Sequence, residues 1–493
     1  MARFGFFAVV LTLAALVVPS GLATSPSALA QEKPADSRSA SEIPTSAFSW
    51  RSAATGARLS PDGTRFAYAM LENGDTFIVV FDTDTRQTVI RINLGDRQDF
   101  NYVRWAGNHR LVFSMTGTHR ERVRYSRLFY FDLQRDLIHP LVGDQMGFDG
   151  DNIVYIDPAG NYLLTSFSRS WREPPAVWRF DLTTDTQPEP VRIERRQTRV
   201  GRWIADNTGA VRIAVAARGR GRLQMRYRSE AQGDWDTVTR ARIDDEDSGL
   251  DLWDFMGLRA GSDTGYSIGV PEGGERSVLM EFDFSTGAPG DIVFSSPDED
   301  IASVFFDDEN NPIAVGYSGD SERRKWLDPQ ISLLQDRLEG MLTGSRVQIL
   351  DIASDLSRAL VVRRGPADPG ALYVYTAADD RLRVFAEFRP QMRGYELSEP
   401  QSLRYDARDG TSIHAYLTLP AGREAEGLPL IVYPHGGPYG IRDTDDYNDM
   451  VQLLANRGYA VIQPNFRGSG GYGEAFLDLG LGPDRPRDAG RPG

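Results

Sequence analysis

The sequence predicts a mainly β chain: a β-propeller of about seven blades, followed by the opening part of a parallel α/β unit. Three observations predict it. Short alternating apolar runs fill residues 48–390, with no long amphipathic helical pattern among them. Turn signals recur there at a near-constant interval. After residue 390 the order changes to strand, glycine loop, helix, strand, glycine loop.

The runs Arg65-Phe66-Ala67-Tyr68-Ala69, Phe77-Ile78-Val79-Val80-Phe81 and Leu128-Phe129-Tyr130-Phe131-Asp132 are bounded by Gly, Asp, Asn and Pro, the pattern of antiparallel strands. Turn signals precede a strand at Ser60-Pro61-Asp62-Gly63, Ala106-Gly107-Asn108, Asp157-Pro158-Ala159-Gly160, Asp206-Asn207-Thr208-Gly209, Asp307-Asp308-Glu309-Asn310 and Ser354-Asp355-Leu356-Ser357. Anchors 107, 157 and 206 are spaced by 50 and 49 residues, and 307 and 355 by 48. The gap of 101 between 206 and 307 holds two periods, with a weaker turn at Gly261-Ser262-Asp263 between them. A second repeat is a strand ending in Asp, as in Val80-Phe81-Asp82, Tyr130-Phe131-Asp132, Arg179-Phe180-Asp181 and Phe282-Asp283-Phe284. A β-sandwich array would share the alternation but not the spacing. In a ring, each small sheet is covered by its neighbours and few edges stay open. Residues 318–340 break the pattern. Arg323-Arg324-Lys325-Trp326, then Ile331, Leu334 and Leu338 at helical spacing, predict a short helical insertion within a blade.

Composition narrows the function classes. The chain has 493 residues, 41% hydrophobic and 25% charged, which is globular, and a formal net charge of −14. That charge disfavours nucleic acid and anionic membranes as partners. Lys33 and Lys325 are the only lysines, and acidic residues are interspersed among the arginines. Residues 1–30 predict a signal peptide: Arg3, an apolar run from Phe6 to Val18, then Ala28-Leu29-Ala30 before Gln31. The run is short for a bilayer span, and an uncleaved N-terminal anchor is the competing reading. The chain has no Cys, so neither lipoprotein acylation nor disulfides are available. Residues 31–46 read as a flexible linker. The expected setting is bacterial export, to the periplasm or the medium, with no stable membrane insertion once the signal is removed. No metal cluster, nucleotide loop or cofactor motif stands out, and oligomeric state is not indicated.

The C-terminal part begins with a hairpin, Leu403-Arg404-Tyr405 and Ile413 to Leu419, turning at Asp409-Gly410. Ile413, Ala415 and Leu417 are expected on one face and His414 and Tyr416 on the other, with His414 a strand-surface residue. Leu428 to Tyr433 reads as a buried apolar strand running into Pro434-His435-Gly436-Gly437-Pro438. Tyr447, Val451 and Leu454 mark an amphipathic helix ended by Gly458. Tyr459 to Pro464 is a second apolar strand, ending in Asn465-Phe466-Arg467-Gly468-Ser469-Gly470-Gly471-Tyr472-Gly473. This order is a parallel crossover unit. A glycine loop after such a strand can supply backbone N–H donors to the negative oxygen of a tetrahedral intermediate. His435, Gly436 and Gly437 are the candidates for that oxyanion loop. Arg467 and Gly468 form a candidate supporting loop, with Arg467 bracing the first loop or capping the strand end.

Tyr433-Pro434-His435-Gly436-Gly437-Pro438, Ile413-His414-Ala415-Tyr416-Leu417-Thr418-Leu419-Pro420 and Asn465-Phe466-Arg467-Gly468-Ser469, behind a propeller, resemble the prolyl oligopeptidase family. The likeness is nearest to its acylaminoacyl-peptidase and dipeptidyl-aminopeptidase branch. The resemblance implies an α/β-hydrolase domain, serine peptidase activity on short peptides, and a propeller that restricts access to a site between the two domains. It also implies a G-x-S-x-G nucleophile followed by Asp and His. Ser469 lacks the leading Gly and Ser318 the trailing one, and none of His109, His119, His139, His414 and His435 lies downstream of a plausible nucleophile. The catalytic Ser, Asp and His are therefore expected to be missing, and the chain to be inactive. The expected domains are signal peptide 1–30, linker 31–46, propeller 47–392, partial hydrolase domain 393–479 and an irregular tail 480–493, read as out of frame or prematurely ended. The alternative from another class is a periplasmic propeller that binds or interacts without catalysis.

Overall fold

The computed structural model describes residues 43–49, 54–95, 99–119, 123–141, 149–170, 172–218, 222–242, 250–319, 322–437 and 440–480. The signal-peptide reading, most of the linker and the tail after residue 480 lie outside the described residues.

Seven antiparallel sheets follow one another along the chain, at residues 55–95, 99–140, 152–194, 200–242, 250–294, 300–326 and 346–387. Each is a meander of consecutive strands; six have four strands and the sixth has three. All the turn anchors found in the sequence join the first strand of a blade to its second. Gly63, Gly107, Gly160, Gly209 and Gly261 hold the left-handed position there, and Asn310 and Leu356 hold it in the last two blades. The repeated aspartates end the third strands of blades one, two, three and five. Each carboxylate caps the turn that follows: Asp82 Oδ1 accepts from Thr85 N at 2.8 Å, Asp132 Oδ1 from Gln134 N at 2.9 Å, Asp181 Oδ1 from Thr183 N at 2.8 Å and Asp283 Oδ1 from Ser285 N at 2.8 Å. The period is thus a physical one: a left-handed turn in every blade and an Asp-capped turn in four of the seven.

Blade seven meets blade one without exchanging a strand, so side chains must close the ring. Phe385 stands edge-on to Phe66 at 4.8 Å and to Phe81 at 4.9 Å. Each such pair adds about 0.5–1.5 kcal/mol beyond area burial. Leu59 N donates to Asp351 Oδ2 at 2.9 Å and Ser354 N to Pro61 O at 2.9 Å, stitching the same seam.

The expected helical insertion is narrower than its sequence signal. Arg323 to Trp326 lie in the third strand of blade six, Glu322–Trp326, and helix α1, Pro329–Met341, starts only after Asp328. Asp328 caps it by accepting from Gln330 N and Ile331 N. The helix stands where a fourth strand would be, and buries Ile331 and Leu338 against Val347, Ile349 and Val361 of blade seven. It is a packed element of the ring.

The last sheet has the order Pro400–Asp406, Ser412–Thr418, Ala460–Asn465, Leu430–Val432. The first pair is the expected hairpin. The last pair is parallel, with Leu430 opposite Ala460, and helix α2, Asp449–Asn456, crosses between them. Two expectations need correction. The strand at 430–432 is an edge strand rather than a buried one, with Leu430 58% and Val432 61% exposed, because its outer side pairs with no other described strand. His414 is not a surface residue: it is 4% exposed, since both faces of its strand are covered. Residues 43–48, read as linker end and propeller start, pack on this side instead. Ile43, Ala47 and Phe48 are buried with Met392 and touch Leu453 of α2.

Candidate functional site

The two glycine loops follow the two parallel strands and lie side by side. Gly440 N donates to Gly468 O at 2.9 Å, and Gly470 N to Ile441 O at 3.2 Å. A Cβ on Gly470 would sit 2.5 Å from the Gly440 carbonyl oxygen, so only glycine permits this approach. Gly468 thus meets the first loop through its backbone, at Gly440, three residues past the candidate oxyanion residues. Arg467 does not: its guanidinium pairs with Asp409 Oδ1 at 2.5 Å, on the hairpin turn.

His435 lies flat on Phe466, ring centroids 4.4 Å apart, and its Nε2 is 2.9 Å from Ser469 Oγ. That contact joins the two loops, and its direction matters. Ser469 donates its proton to Phe466 O at 2.6 Å, so the hydroxyl oxygen accepts from His435 Nε2–H. In a nucleophile–base pair the imidazole would accept from the serine. Ser469 is also fully buried. The pair is a brace. Gly436 and Gly437 remain exposed, and among the described residues nothing accepts from their backbone N–H groups. Pro438, the last residue of the loop motif, lies outside the described residues.

Beneath the loops is a polar cluster. The phenol oxygen of Tyr472 is 2.6 Å from His414 Nδ1 and receives N–H donors from Asn465 Nδ2 and Arg442, both at 2.8 Å. Two donors fill the oxygen's lone pairs, so the phenol proton goes to His414 Nδ1. His414 Nε2–H then donates to Ser402 Oγ at 2.7 Å. Asn465 also exchanges hydrogen bonds with the Asp443 backbone, at 2.8 and 3.0 Å. Burial pushes the Asp443 carboxyl above its ordinary value, against hydrogen bonds from the Gln463 side chain and the His435 backbone.

This cluster is anchored to the propeller. Arg442 donates to Ser318 O at 3.3 Å, Gly473 N to Asp300 Oδ2 at 3.1 Å, and Arg346 pairs with Asp446 at 2.9 Å and with Asp445. Sequence reasoning assigned no role to Tyr472, Arg442, Asp443 or Asn465. Only Asn465 carried a signal, a polar residue closing an apolar strand.

The chain is similar to known proteins. A model of the prolyl oligopeptidase family matches residues 446–483. Dipeptidyl aminopeptidase BIII of Pseudoxanthomonas mexicana is 29% identical over 219 residues, 43% of this chain and 31% of that protein. Dipeptidyl peptidase family member 6 of Caenorhabditis elegans is 31% identical over 166 residues, 29% of this chain and 22% of that protein. The matched stretches thus span less than a third of these relatives' lengths. Among solved structures, one from a study of two prolyl endopeptidases superposes with a TM-score of 0.62 at 14% identity, covering 90% of this chain and 66% of that one. Oligopeptidase B of Leishmania major superposes with a TM-score of 0.58 at 12% identity, covering 90% and 64%. At these identities the structural likeness speaks for the fold alone.

Proposed function

We propose, from the family match at residues 446–483 and the likeness to the dipeptidyl aminopeptidase, that the chain is a member of the prolyl oligopeptidase family, that it provides the propeller and the oxyanion side of a serine peptidase for short peptides, and that these 493 residues alone do not hydrolyse them. In this reading residues 47–392 are the propeller, apart from Ala47, Phe48 and Met392, which pack with the hydrolase part, and 393–479 are that part. The observation that carries it is the pair of exposed N–H groups at Gly436 and Gly437, held by a second glycine loop at the ends of two parallel strands. Fixed donors of this kind stabilise an oxyanion without reorganising. His435 is spent on the brace to Ser469, and the one serine in a G-x-S-x-G setting, Ser267, is fully buried in the middle of a propeller strand, Thr264–Gly269, rather than on an exposed strand-to-helix elbow. Donors without a nucleophile and base have no acyl-enzyme to stabilise.

The test is a serine-directed fluorophosphonate probe, together with acyl-peptide and aminoacyl anilide substrates, on the purified chain. The expected result is neither labelling nor hydrolysis. Stoichiometric labelling would overturn the inactivity. Export belongs to the same proposal, supported by residues 1–30; the mature protein is expected to begin at Gln31, which N-terminal sequencing checks. No described helix is long and apolar enough to cross a membrane.

A further inference from the structure

Resting on the peptide reading above, we infer that a cavity between blades three and four is a subsite for a peptide carboxylate. The cavity has a volume of about 540 Å³ and is lined by Arg172, Glu173, Pro174, Arg196, Thr198 and Arg199. Three arginines and one glutamate line it, on a protein whose net charge is −14. A concave site of opposite sign to its surroundings selects anions locally against the long-range field. Guanidinium is the group that meets a carboxylate with two parallel hydrogen bonds.

Topology puts this cavity on the right side of the molecule. In a meander of alternating strands, the turn between second and third strands and the link to the next blade share one end. Arg172 to Pro174 belong to the first kind of turn, in blade three, and Arg196 to Arg199 to the link from blade three to blade four. Glu275, in a turn of the first kind, Ser318, closing the second strand of blade six just before one, and Asp300 and Arg346, at the starts of blades six and seven, hold the hydrolase part. The arginines therefore open on the propeller end that also bears the glycine loops.

Both walls are preformed. Glu173 N donates to Ser170 O at 3.0 Å, and the Trp203 indole to Pro175 O at 3.1 Å, behind Pro174-Pro175. The opposite loop is fixed by Arg226, which donates to Gln197 Oε1 at 2.5 Å, and by Val200 N donating to Gln197 O at 3.2 Å. Loops already ordered lose little entropy on binding. Glu173 holds Arg196 at 2.5 Å, so an incoming carboxylate competes with it for that guanidinium.

The test is equilibrium binding of three fluorescent peptides of one sequence to the full chain: the free acid, the C-terminal amide, and the amide with an interior Glu. The free acid is expected to bind on the order of tenfold tighter than the amide, the ratio one net charge-assisted hydrogen bond supports. A gain for the interior-Glu peptide extends the site to any carboxylate; no gain restricts it to chain termini, and both support it. Arg172→Gln with Arg196→Gln should erase the preference. Glu173→Gln should enlarge it, a gain that a merely structural role does not produce. Equal binding of all three peptides overturns the subsite and leaves the peptide reading standing. Binding of none overturns both.

Discussion

The brace between the two glycine loops can be tested by Ser469→Ala. Ser469 Oγ donates to Phe466 O at 2.6 Å and accepts from His435 Nε2 at 2.9 Å. The Phe466 carbonyl keeps a second donor when the hydroxyl goes, because Ser469 N reaches it at 3.0 Å. Only the imidazole N–H loses its partner, and His435 is half-buried, so water can partly replace it. One lost hydrogen bond plus partial desolvation gives a destabilisation of about 1–2 kcal/mol. Urea unfolding with and without the substitution measures it, and hydrogen exchange locates it. Protection should fall in residues 434–437 and 466–471 and stay unchanged in the blades. A change below about 0.3 kcal/mol, within the spread of ordinary surface substitutions, would refute the brace. So would fluorophosphonate labelling of the wild type that disappears in the variant, since that would make Ser469 the nucleophile.

The turn-capping aspartates predict acid sensitivity. Asp82, Asp132, Asp181 and Asp283 all sit below the ordinary value of 3.8, with turn hydrogen bonds outweighing burial. Groups depressed in the folded state stabilise fully above the unfolded value, and that stability drains as pH falls through the folded ones, so the urea midpoint should drop steeply below about pH 4. Asp132→Asn, which breaks a buried pair with Arg110 at 3.1 Å, should cost about 3 kcal/mol and flatten that slope; an unchanged slope contradicts the assignment. Arg346→Ala should speed exchange in residues 440–449 several-fold at low salt and less at high salt, because its partners are part-exposed and screened; equal effects at both salts would exclude a docking role. Tyr472→Phe leaves Asn465, Arg442 and His414 without their shared oxygen and should destabilise the C-terminal part by about 1–3 kcal/mol, read from its melting; an unshifted melt denies the hub.

The propeller was legible because its period is written in backbone chemistry. Each blade needs a left-handed turn and most need an Asp cap, and both demand particular residue types at fixed intervals. In blades six and seven Asn310 and Leu356 hold the same left-handed position without glycine, so there the Asp, Asn and Ser of the turn carried the signal. The crossover unit was legible for a similar reason, since glycines mark where strands must give way to helices. Burial was not. The hydrophobicity of Leu430 and Val432 says nothing about which side of a strand lacks a neighbour. The polarity of His414 concealed a core position, because Ser402 and Tyr472 satisfy both ring nitrogens. Sequence distance hid the site's framework as well. Arg442 reaches Ser318 across 124 positions, and no local pattern encodes that contact.

Beside the small apolar cluster of Ile43, Phe48, Met392 and Leu453, these contacts join the two halves through polar groups. The apolar clusters of the ring stay within and between blades, whereas Arg442, Gly473, Glu474 and Arg346 cross to the hydrolase part by hydrogen bonds and ion pairs. Such a seam is weak per contact and sensitive to geometry. Gly471 shows how close it is: a Cβ there would lie 2.1 Å from Ser318 O. The second glycine loop thus has two constraints at once, the first glycine loop on one side and the propeller on the other. Its glycines meet both, and the loop passes the position of blade six directly to the backbone of Gly440 and Ile441. The backbone at Gly440 and Ile441 is therefore positioned by the propeller as well as by the sheet that carries the two loops.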